Sequence, residues 1–300
     1  MNFSCNRFSD GGVLADGGHG RSCRVPVSAA SLSVGVLSYH AHKTLASTLA
    51  SYGYGGLASC ASEAYIFFNE LTPEDERFCR EHPGWRCAGS AVNLGLLGGM
   101  DALARTMKGD YLLMLQNDCP LVADAADTRR YLDESMSLLA AGKADIVRCR
   151  SRTFPGQGFA DAKKFARYHG NGLLPAMRRI LRPNKARRMI GRAPYSIPDA
   201  ELRFPDYITR EGNFLVVDSA VINFSDQPFL ISRPLMLSLL DWAKEHPKKR
   251  TLNGFQVMEI NLNDSWWRRS HFKVAVGEGL FTHSRLDGGF RNGKGREVLV

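Results

Sequence analysis

The stretch Gly109–Val122, GDYLLMLQNDCPLV, decides how the rest of the chain is organised. Tyr111 to Leu115 are apolar without interruption, which is the pattern of a strand buried on both faces of a sheet. The strand runs directly into Gln116-Asn117-Asp118, and Pro120 ends it. Ligands of open α/β sheets bind at the carboxyl ends of the strands, so Asp118 is well placed for metal or phosphate chemistry. The alternative interpretation is that Asn-Asp-Cys-Pro only forms a turn.

Strand and helix patterns alternate on both sides of this strand. Short apolar runs predict four further strands, at Ser31–Tyr39, Ala64–Phe68, Arg86–Ser90 and Ala144–Cys149. Helical patterns lie between them, at His40–Ser51, from Thr72-Pro73 onward, at Met100–Met107 and at Thr128–Ala141. This alternation predicts an α/β fold with a mixed, mostly parallel, Rossmann-like sheet and helices on both faces.

The later part of the chain returns to the same alternation. From Gly212 the pattern is again that of a sheet, followed by helices at Leu235–His246 and Phe255–Leu262. A strand at Phe272–Val276 and a terminal strand edge at Gly279–His283 complete the prediction.

Composition and cysteine usage limit the class of protein. With 300 residues, 44% hydrophobic and 23% charged, the chain has the composition of a globular protein. No uncharged apolar run reaches the roughly 18 to 20 residues of a membrane span, and the first thirty residues contain no apolar signal core, which predicts a cytoplasmic protein. The seven cysteines are odd in number and lack CxxC spacing. They predict reduced thiols instead of a zinc site or a complete disulfide framework.

The basic character of the chain is concentrated in one segment. Residues 163–192 contain ten Lys or Arg and no acidic residue, so the remaining 270 residues sum to about −1 of the overall +9. Three interpretations stay open. The segment is a solvated or disordered face, it attracts a diphosphate or an anionic acceptor at a membrane surface, or it binds nucleic acid. Apolar residues interleave with the basic ones and predict one face of a broken amphipathic helix: Leu173, Leu174, Met177, Ile180, Leu181 and Met189.

These patterns divide the chain into four parts. Residues 1–30, rich in Gly, Ser and Asp, predict a flexible lead-in. Residues 31–155 form the first sheet half, residues 156–210 a basic insertion or lid, and residues 211–300 the remainder of the sheet.

The order of these parts resembles a GT-A type glycosyltransferase of the family-2 kind. The residues that carry the resemblance span about 31–290: they are the strand at Val34–His40, Asn69-Glu70, Asn93-Leu-Gly95, the run Asp110–Asp118, Glu259 and His283. The resemblance implies that the first half, 31–155, binds a nucleotide-diphosphate sugar, and that the later half binds the acceptor hydroxyl of a glycan, glycolipid or glycoprotein.

The resemblance also implies a divalent cation, Mn²⁺ or Mg²⁺, that neutralises the leaving diphosphate. The family's Asp-any-Asp motif falls on Gln116-Asn117-Asp118, where only the second acid is present. Asp118 is the implied metal ligand, Asn117 a ligand of the ribose or the metal, and His283 a second metal ligand or a diphosphate contact. The alternative for His283 is a histidine that only packs at the end of its strand.

The implied nucleotide contacts follow the first strands. They are Ser38, Tyr39 and His40 after the first strand, Asn69 and Glu70 after the second, and Asn93 and Gly95 before a helix. His40 stands where the family usually has Asn. Tyr39 is suited to stacking on a base, and a glycine at a helix start lets backbone amides approach phosphate.

Glu259 falls where the family places the base that deprotonates the acceptor, although Ile260 replaces the Asp that usually follows. One carboxylate aimed at the acceptor suits direct displacement with inversion. Asp241 and Asp264 are weaker candidates for the base. Trp266-Trp267 is suited to an acceptor platform because sugar C–H faces pack on aromatic rings, and packing in the core is the alternative interpretation.

The resemblance thus implies an inverting hexosyl- or pentosyltransferase. Two alternatives stay open. One is a nucleotidyltransferase that makes the activated sugar, although Ser38–Lys43 lacks the Gly-rich loop expected for it. The other is a non-catalytic basic protein that binds nucleic acid or an anionic membrane. The chain contains no GxSxG, GxxxxGK[ST] or HExxH motif.

Overall fold

Nine strands form one sheet in the part of the chain that the computed structural model describes, residues 30–287 and the backbone of residues 290–291 and 297–298. The predicted lead-in, residues 1–30, lies outside this part except for its last residue. In chain order the strands are β1 (Leu32–Ser38), β2 (Glu63–Asn69), β3 (Arg86–Ser90), β4 (Tyr111–Gln116), β5 (Ile146–Arg150), β6 (Ile208–Glu211), β7 (Phe214–Asp218), β8 (Phe229–Ser232) and β9 (Lys273–Phe281). Two short strands, β10 (Phe290–Arg291) and β11 (Glu297–Val298), pair separately.

The strand order across the sheet is β3-β2-β1-β4-β8-β5-β9-β7-β6. Only β7 and β8 run against the other seven strands of this sheet. The predicted mixed, mostly parallel α/β sheet is therefore confirmed. The sequence analysis did not predict β8, which lies between β4 and β5 and is antiparallel to both.

Helices connect the strands and cover both faces of the sheet. They are α1 (His42–Tyr54), α2 (Pro73–Arg80), α3 (Gly95–Thr106), α4 (Ala125–Ala140), α5 (Asp161–His169), α6 (Leu173–Leu181), α7 (Pro183–Met189), α8 (Ala200–Arg203), α9 (Arg233–Glu245), α10 (Met258–Leu262) and α11 (Ser265–Arg269). Two 3₁₀ segments, Leu57–Cys60 and Ile190–Tyr195, complete the described elements.

The position of β4 between two hydrophobic cores explains why its sequence is apolar without interruption. Leu112 and Met114 belong to the core beneath α3 and α9, whereas Leu113 and Leu115 belong to the core beneath α1 and α4. All four side chains are almost completely buried. Successive strand residues point to opposite faces, so a strand covered on both sides needs an apolar residue at every position.

The last strand of the main sheet is one element where the sequence predicted two. Gly279 interrupts the pattern of β9 with a positive φ of 74°, and a Cβ there would lie 2.2 Å from the Arg150 carbonyl oxygen. The register of β9 against β5 shifts at this point. A glycine at this bulge lets β9 continue to Phe281 and deliver the following residues to the carboxyl end of β4.

The prediction that the thiols are reduced is wrong for one pair. Cys79, in the last turn of α2, forms a disulfide with Cys87 of β3 across a Cα–Cα distance of 6.2 Å. The chain folds back between these elements, which brings together two cysteines whose separation of eight residues matches no CxxC pattern. Cys60, Cys119 and Cys149 are free, and the last two are buried as predicted.

Helices α5 to α8 form the insertion between β5 and β6. The predicted broken amphipathic helix is present as α6 and α7, which are separated at Arg182 just before Pro183. Among the described helices, none is long and apolar enough to cross a membrane.

Candidate functional site

The candidate site lies where the strand order reverses. The chain proceeds from β1 to β2 and β3 on one side and then places β4 on the other side of β1. All four strands are parallel, so their carboxyl ends meet at one edge, the usual position of ligands in open α/β sheets. A cleft of about 260 Å³ opens there. Its polar lining comprises Tyr39, Asn69, Asn93, Gln116, Asn117, Asp118, Asn253 and Arg285.

Asp118 is held in this cleft by a close histidine. Its Oδ2 lies 3.3 Å from Nε2 of His283, and both side chains are buried. Burial favours the neutral carboxyl, but the hydrogen bond and charge of His283 and the charge of Arg285 outweigh it and lower the pKa of Asp118. Asp118 is therefore an ionised carboxylate in a largely water-excluded position. The structure brings together the two residues predicted as metal ligands.

The segment after β9 is fastened along the edge of the cleft. Thr282 and Ser284 donate backbone hydrogen bonds of 2.9 Å to the carbonyls of Pro120 and Asp118. Asp287 accepts one of 2.7 Å from the backbone N–H of Thr44 in α1. These contacts fix the backbone on both sides of His283 and Arg285.

Arg285 is a site residue that the sequence analysis missed. It lines the cleft, and its Nε is buried with no hydrogen-bond partner among the described residues. A buried donor without a partner is costly unless a ligand satisfies it. Its spacing from His283 is the feature of the sequence that could have identified it. Arg285 follows His283 by two residues, so in an extended segment the two side chains lie on the same face.

Three predicted contacts form one polar network. Asn69 donates hydrogen bonds to the Asn93 side chain (3.0 Å) and the Gly95 carbonyl (3.1 Å), and it accepts one from the N–H of Leu94 (2.8 Å). Gly95 has a φ of 69°, and a Cβ there would lie 2.4 Å from the Phe255 side chain. Asn69 and Asn93 thus hold the loop before α3 in place. Because Gly95 has no side chain, Phe255 can pack directly against this loop.

The remaining predicted nucleotide contacts are divided between the cleft and its rim. Tyr39 and Asn117 line the cleft, and Asn117 Nδ2 reaches Ser38 Oγ at 3.4 Å behind it. His40 and Glu70 contact each other at 3.3 Å and are outside the cleft lining. Both have positive φ angles, 42° and 86°, at the ends of β1 and β2. Such strain in non-glycine residues is common around binding sites.

Glu259 lies in a second cavity of about 240 Å³. Four cationic side chains line this cavity with it: Arg148, Arg150, Lys164 and Arg192. Arg192 pairs with Asp161, whereas Arg148 and Arg150 make no ion pair within the described residues. The cavity is therefore positively charged and suited to an anionic group.

Asp226 is the second site residue that the sequence analysis missed. Its carbonyl accepts a 3.0 Å hydrogen bond from the side chain of Gln116, which lines the first cleft. Its neighbours Ser225 and Gln227 line the second cavity with Glu259. The two cavities are therefore neighbours across Asp226. No sequence motif marks Asp226 as a site residue. It lies in the loop before β8, a strand that the sequence did not predict.

The carboxyls of Asp226 and Glu259 are adjacent and affect each other. Burial and the charge of Glu259 raise the pKa of Asp226 well above its usual range. Burial also raises the pKa of Glu259, although the positive charges of Arg148 and Arg192 oppose that rise. Two neighbouring carboxyls do not ionise together easily, so the pair carries one negative charge more readily than two.

The predicted aromatic platform and the rival bases lie elsewhere. Trp267 is completely buried, and its Nε1 donates to the Ile222 carbonyl at 2.8 Å, so it is a core residue and the acceptor prediction does not extend to it. Trp266 stacks on Trp242 with ring centroids 4.1 Å apart and lines neither cavity. Asp241 forms ion pairs with Arg105 and Lys244, and Asp264 caps α11 and pairs with Lys248.

The chemistry of Asp118 and His283 allows a divalent cation with additional ligands. Within residues 30–287 no group of three or more His, Cys, Asp or Glu side chains is arranged to hold a metal. One carboxylate, one imidazole and the Asn117 amide would leave coordination positions for phosphate oxygens. This partial donor set fits a cation that binds together with a diphosphate.

Comparison with known proteins gives only weak likenesses. No protein-family model matches the chain, and no curated protein matches it in sequence. Residues 1–349 of TarS from S. aureus show 11% identity with a TM-score of 0.48, over 85% of this chain and 60% of that one. The mannosyltransferase PcManGT from Pyrobaculum calidifontis, solved with GDP-Man and Mn²⁺, shows 12% identity with a TM-score of 0.45, over 83% and 57%.

A second structure of TarS 1–349, in complex with UDP-GlcNAc, gives a TM-score of 0.47 at 11% identity, over 89% of this chain and 62% of that one. This chain spans less than two thirds of each of these chains. At such identities and TM-scores, the likenesses assign no function to it.

Proposed function

We propose that this protein is a glycosyltransferase of the GT-A type that moves a sugar from a nucleotide-diphosphate sugar to an acceptor hydroxyl. One observation carries the proposal. The cleft at the reversal of strand order combines an ionised Asp118 with Arg285, whose buried Nε has no hydrogen-bond partner among the described residues, and a rim of amides and Tyr39. A carboxylate beside a cation at this edge of a sheet suits a diphosphate that brings its own metal ion.

The donor would bind with its diphosphate toward Asp118 and Arg285. Arg285 would offer its guanidinium to phosphate oxygens, and Tyr39, 44% exposed at the rim, is free to stack on the base. Asn69 and Asn93 hold the loop that forms this wall. Gly95 keeps the wall open by having no side chain against Phe255.

Mn²⁺ or Mg²⁺ would be held by Asp118 and His283, with Asn117 nearby. When bound, the cation would neutralise charge that develops on the diphosphate as it leaves. Without a cation, the ionised Asp118 would repel the diphosphate, and Arg285 alone would offset only part of that repulsion.

The acceptor would occupy the second cavity, with Glu259 as the base. The acceptor oxygen forms a bond to the anomeric carbon while the bond from that carbon to the diphosphate breaks, and Glu259 takes the hydroxyl proton. The nucleoside diphosphate leaves with the electron pair of the broken bond, and the anomeric configuration inverts. Glu259 is suited to this role because Arg148 and Arg192 favour its ionised form while burial keeps it basic.

The charge of the second cavity indicates the class of acceptor. Arg148 and Arg150 line it and form no ion pair within 4 Å in the described part of the chain, and Lys164 of α5 lines it as well. We propose that the acceptor is a glycan or lipid-linked molecule that carries a phosphate or carboxylate close to the reacting hydroxyl.

Product analysis tests the reaction class. The wild-type protein is incubated with UDP, GDP, CDP and dTDP sugars and Mn²⁺, with phosphorylated and neutral sugar acceptors in parallel. We expect release of a nucleoside diphosphate from one donor class, stimulated most by a phosphorylated acceptor. Pyrophosphate release from a nucleoside triphosphate and a sugar phosphate would instead establish the nucleotidyltransferase alternative. Binding of polyanions with no turnover of any nucleotide sugar would favour the non-catalytic alternative.

The pH dependence of transfer tests Glu259 as the base. Arg148 lowers the pKa of Glu259, so Arg148→Gln should raise that pKa further and move the acid limb of the kcat/KM profile to higher pH. Activity should be lost as pH falls through the pKa of Glu259, and the variant should lose it sooner. Lys164→Gln removes one positive charge from the same cavity, but Lys164 is not among the largest causes of the Glu259 shift, so this variant should move the limb less than Arg148→Gln. Equal profiles for the wild type and both variants would contradict the assignment.

A further inference from the structure

Helix α6 presents its apolar face outward. Leu173, Leu174, Met177, Ile180 and Leu181 recur at the spacing of one helical face, and each is between 45% and 78% exposed. No residue of α6 is buried. A contiguous face of five large apolar side chains in water is uncommon and marks an interaction surface.

The orientation of α6 is fixed by its arginines. Arg178 and Arg179 donate hydrogen bonds of 3.2 and 2.8 Å to the carbonyls of Arg167 and Tyr168 in the last turn of α5. These contacts fasten the opposite side of α6 to the body of the protein. The apolar face therefore points away from the rest of the protein. Its exposure does not result from loose attachment of the helix.

The surroundings of this face are strongly basic. Residues 162–198 contain ten Lys or Arg and no Asp or Glu. Among the described residues only Arg192 of these ten forms an ion pair with a carboxylate, so nine positive charges stay uncompensated. A protein partner with an ordinary apolar patch does not require this charge, whereas an anionic lipid surface complements both features.

We propose that α6 docks this protein on the surface of an anionic membrane. The apolar side chains enter the boundary between head groups and acyl chains. Lys and Arg residues of the same segment, other than Arg178 and Arg179, which are bound to α5, contact lipid phosphates. Helix α6 packs on α5, whose residues Asp161 and Lys164 line the cavity that contains Glu259. Docking would thus place the acceptor cavity beside the membrane. The docking proposal does not depend on the transferase proposal.

Vesicle sedimentation tests the docking. The full chain is mixed with vesicles of phosphatidylcholine alone or of equal parts phosphatidylcholine and phosphatidylglycerol. We expect binding to the anionic vesicles only, and a loss of at least about tenfold in affinity for Ile180→Glu. Leu202→Glu on α8 is the matched control, because Leu202 is as exposed as Ile180, at 78%, and it should bind like the wild type.

Several results would overturn the proposal. Equal sedimentation with and without phosphatidylglycerol would exclude recognition of anionic lipid, and equal binding by Ile180→Glu would exclude α6. A wild-type dimer that Ile180→Glu converts to a monomer, measured by analytical ultracentrifugation without vesicles, would show that a second copy covers the face. Salt-sensitive binding of RNA or DNA without vesicle binding would assign the basic residues to nucleic acid.

Discussion

Replacing Glu259 with Gln is expected to lower kcat for sugar transfer by about 10²- to 10⁴-fold, the usual contribution of a general base, while donor affinity changes by less than about twofold. The amide has almost the same shape as the carboxylate but cannot accept the acceptor proton. Glu259 lies in the second cavity, away from the lining of the donor cleft, so nucleotide binding should be preserved. Transfer rates and the dissociation constant for the donor are measured on the same preparation. Near-normal kcat in Glu259→Gln would reject the assignment.

Asp226→Asn is the control that separates the two adjacent carboxyls. Burial and the charge of Glu259 raise the pKa of Asp226, which favours its protonated form, and an amide resembles that form closely. The variant should therefore retain kcat within about tenfold of the wild type. If Asp226→Asn loses transfer and Glu259→Gln does not, the base is Asp226.

Replacing Asp118 with Asn is expected to lower kcat/KM for the donor by at least about 10²-fold and to weaken the stimulation by Mn²⁺. A bound cation contributes several kcal/mol to the stabilisation of developing charge, and each 1.4 kcal/mol corresponds to a factor of ten. Asn removes the negative charge that would hold the cation but can still accept the hydrogen bond from His283. Steady-state kinetics over a Mn²⁺ titration measure both effects.

Asp110→Asn is a matched control for this variant. Asp110 immediately precedes β4, at the opposite edge of the sheet from Asp118, and its carboxylate accepts hydrogen bonds from Ser31. The same chemical change there should leave kcat/KM and the Mn²⁺ response unaltered. Equal losses in the two variants would show that the effect of Asp118→Asn is structural, and no loss in either would remove Asp118 from the site.

The sequence was most informative where local pattern and burial agree. Strand β4 is covered on both faces, so its apolar run, its end and the position of Asp118 could be predicted together. Asn69, Asn93 and Gly95 were identified through the resemblance, and the structure shows the network and close packing that their residue types serve.

Contacts between distant parts of the chain were less predictable. Strand β8 has only four residues, and its pairing with β4 and β5 depends on neighbours far away in sequence. Asp226, in the loop before it, could not be placed beside Glu259 for the same reason. For Trp267 the acceptor surface and the core both stayed open, because an aromatic residue near a carboxylate looks the same in sequence whether it faces a sugar or the core.

The most direct test of the central proposal is nucleotide binding in the cleft at the carboxyl ends of β1, β2 and β4. Thermal unfolding of the wild-type protein is measured with UDP, GDP, CDP and dTDP sugars, each with and without Mn²⁺. At a ligand concentration 100 times the dissociation constant, binding adds about 2.7 kcal/mol to the free energy of unfolding, which corresponds to roughly 5 °C or more in Tm. We predict this shift for one nucleotide class, dependent on Mn²⁺ and lost in Asp118→Asn but not in Asp110→Asn. The absence of a shift with every nucleotide sugar, in a protein that unfolds cooperatively, would contradict the proposal.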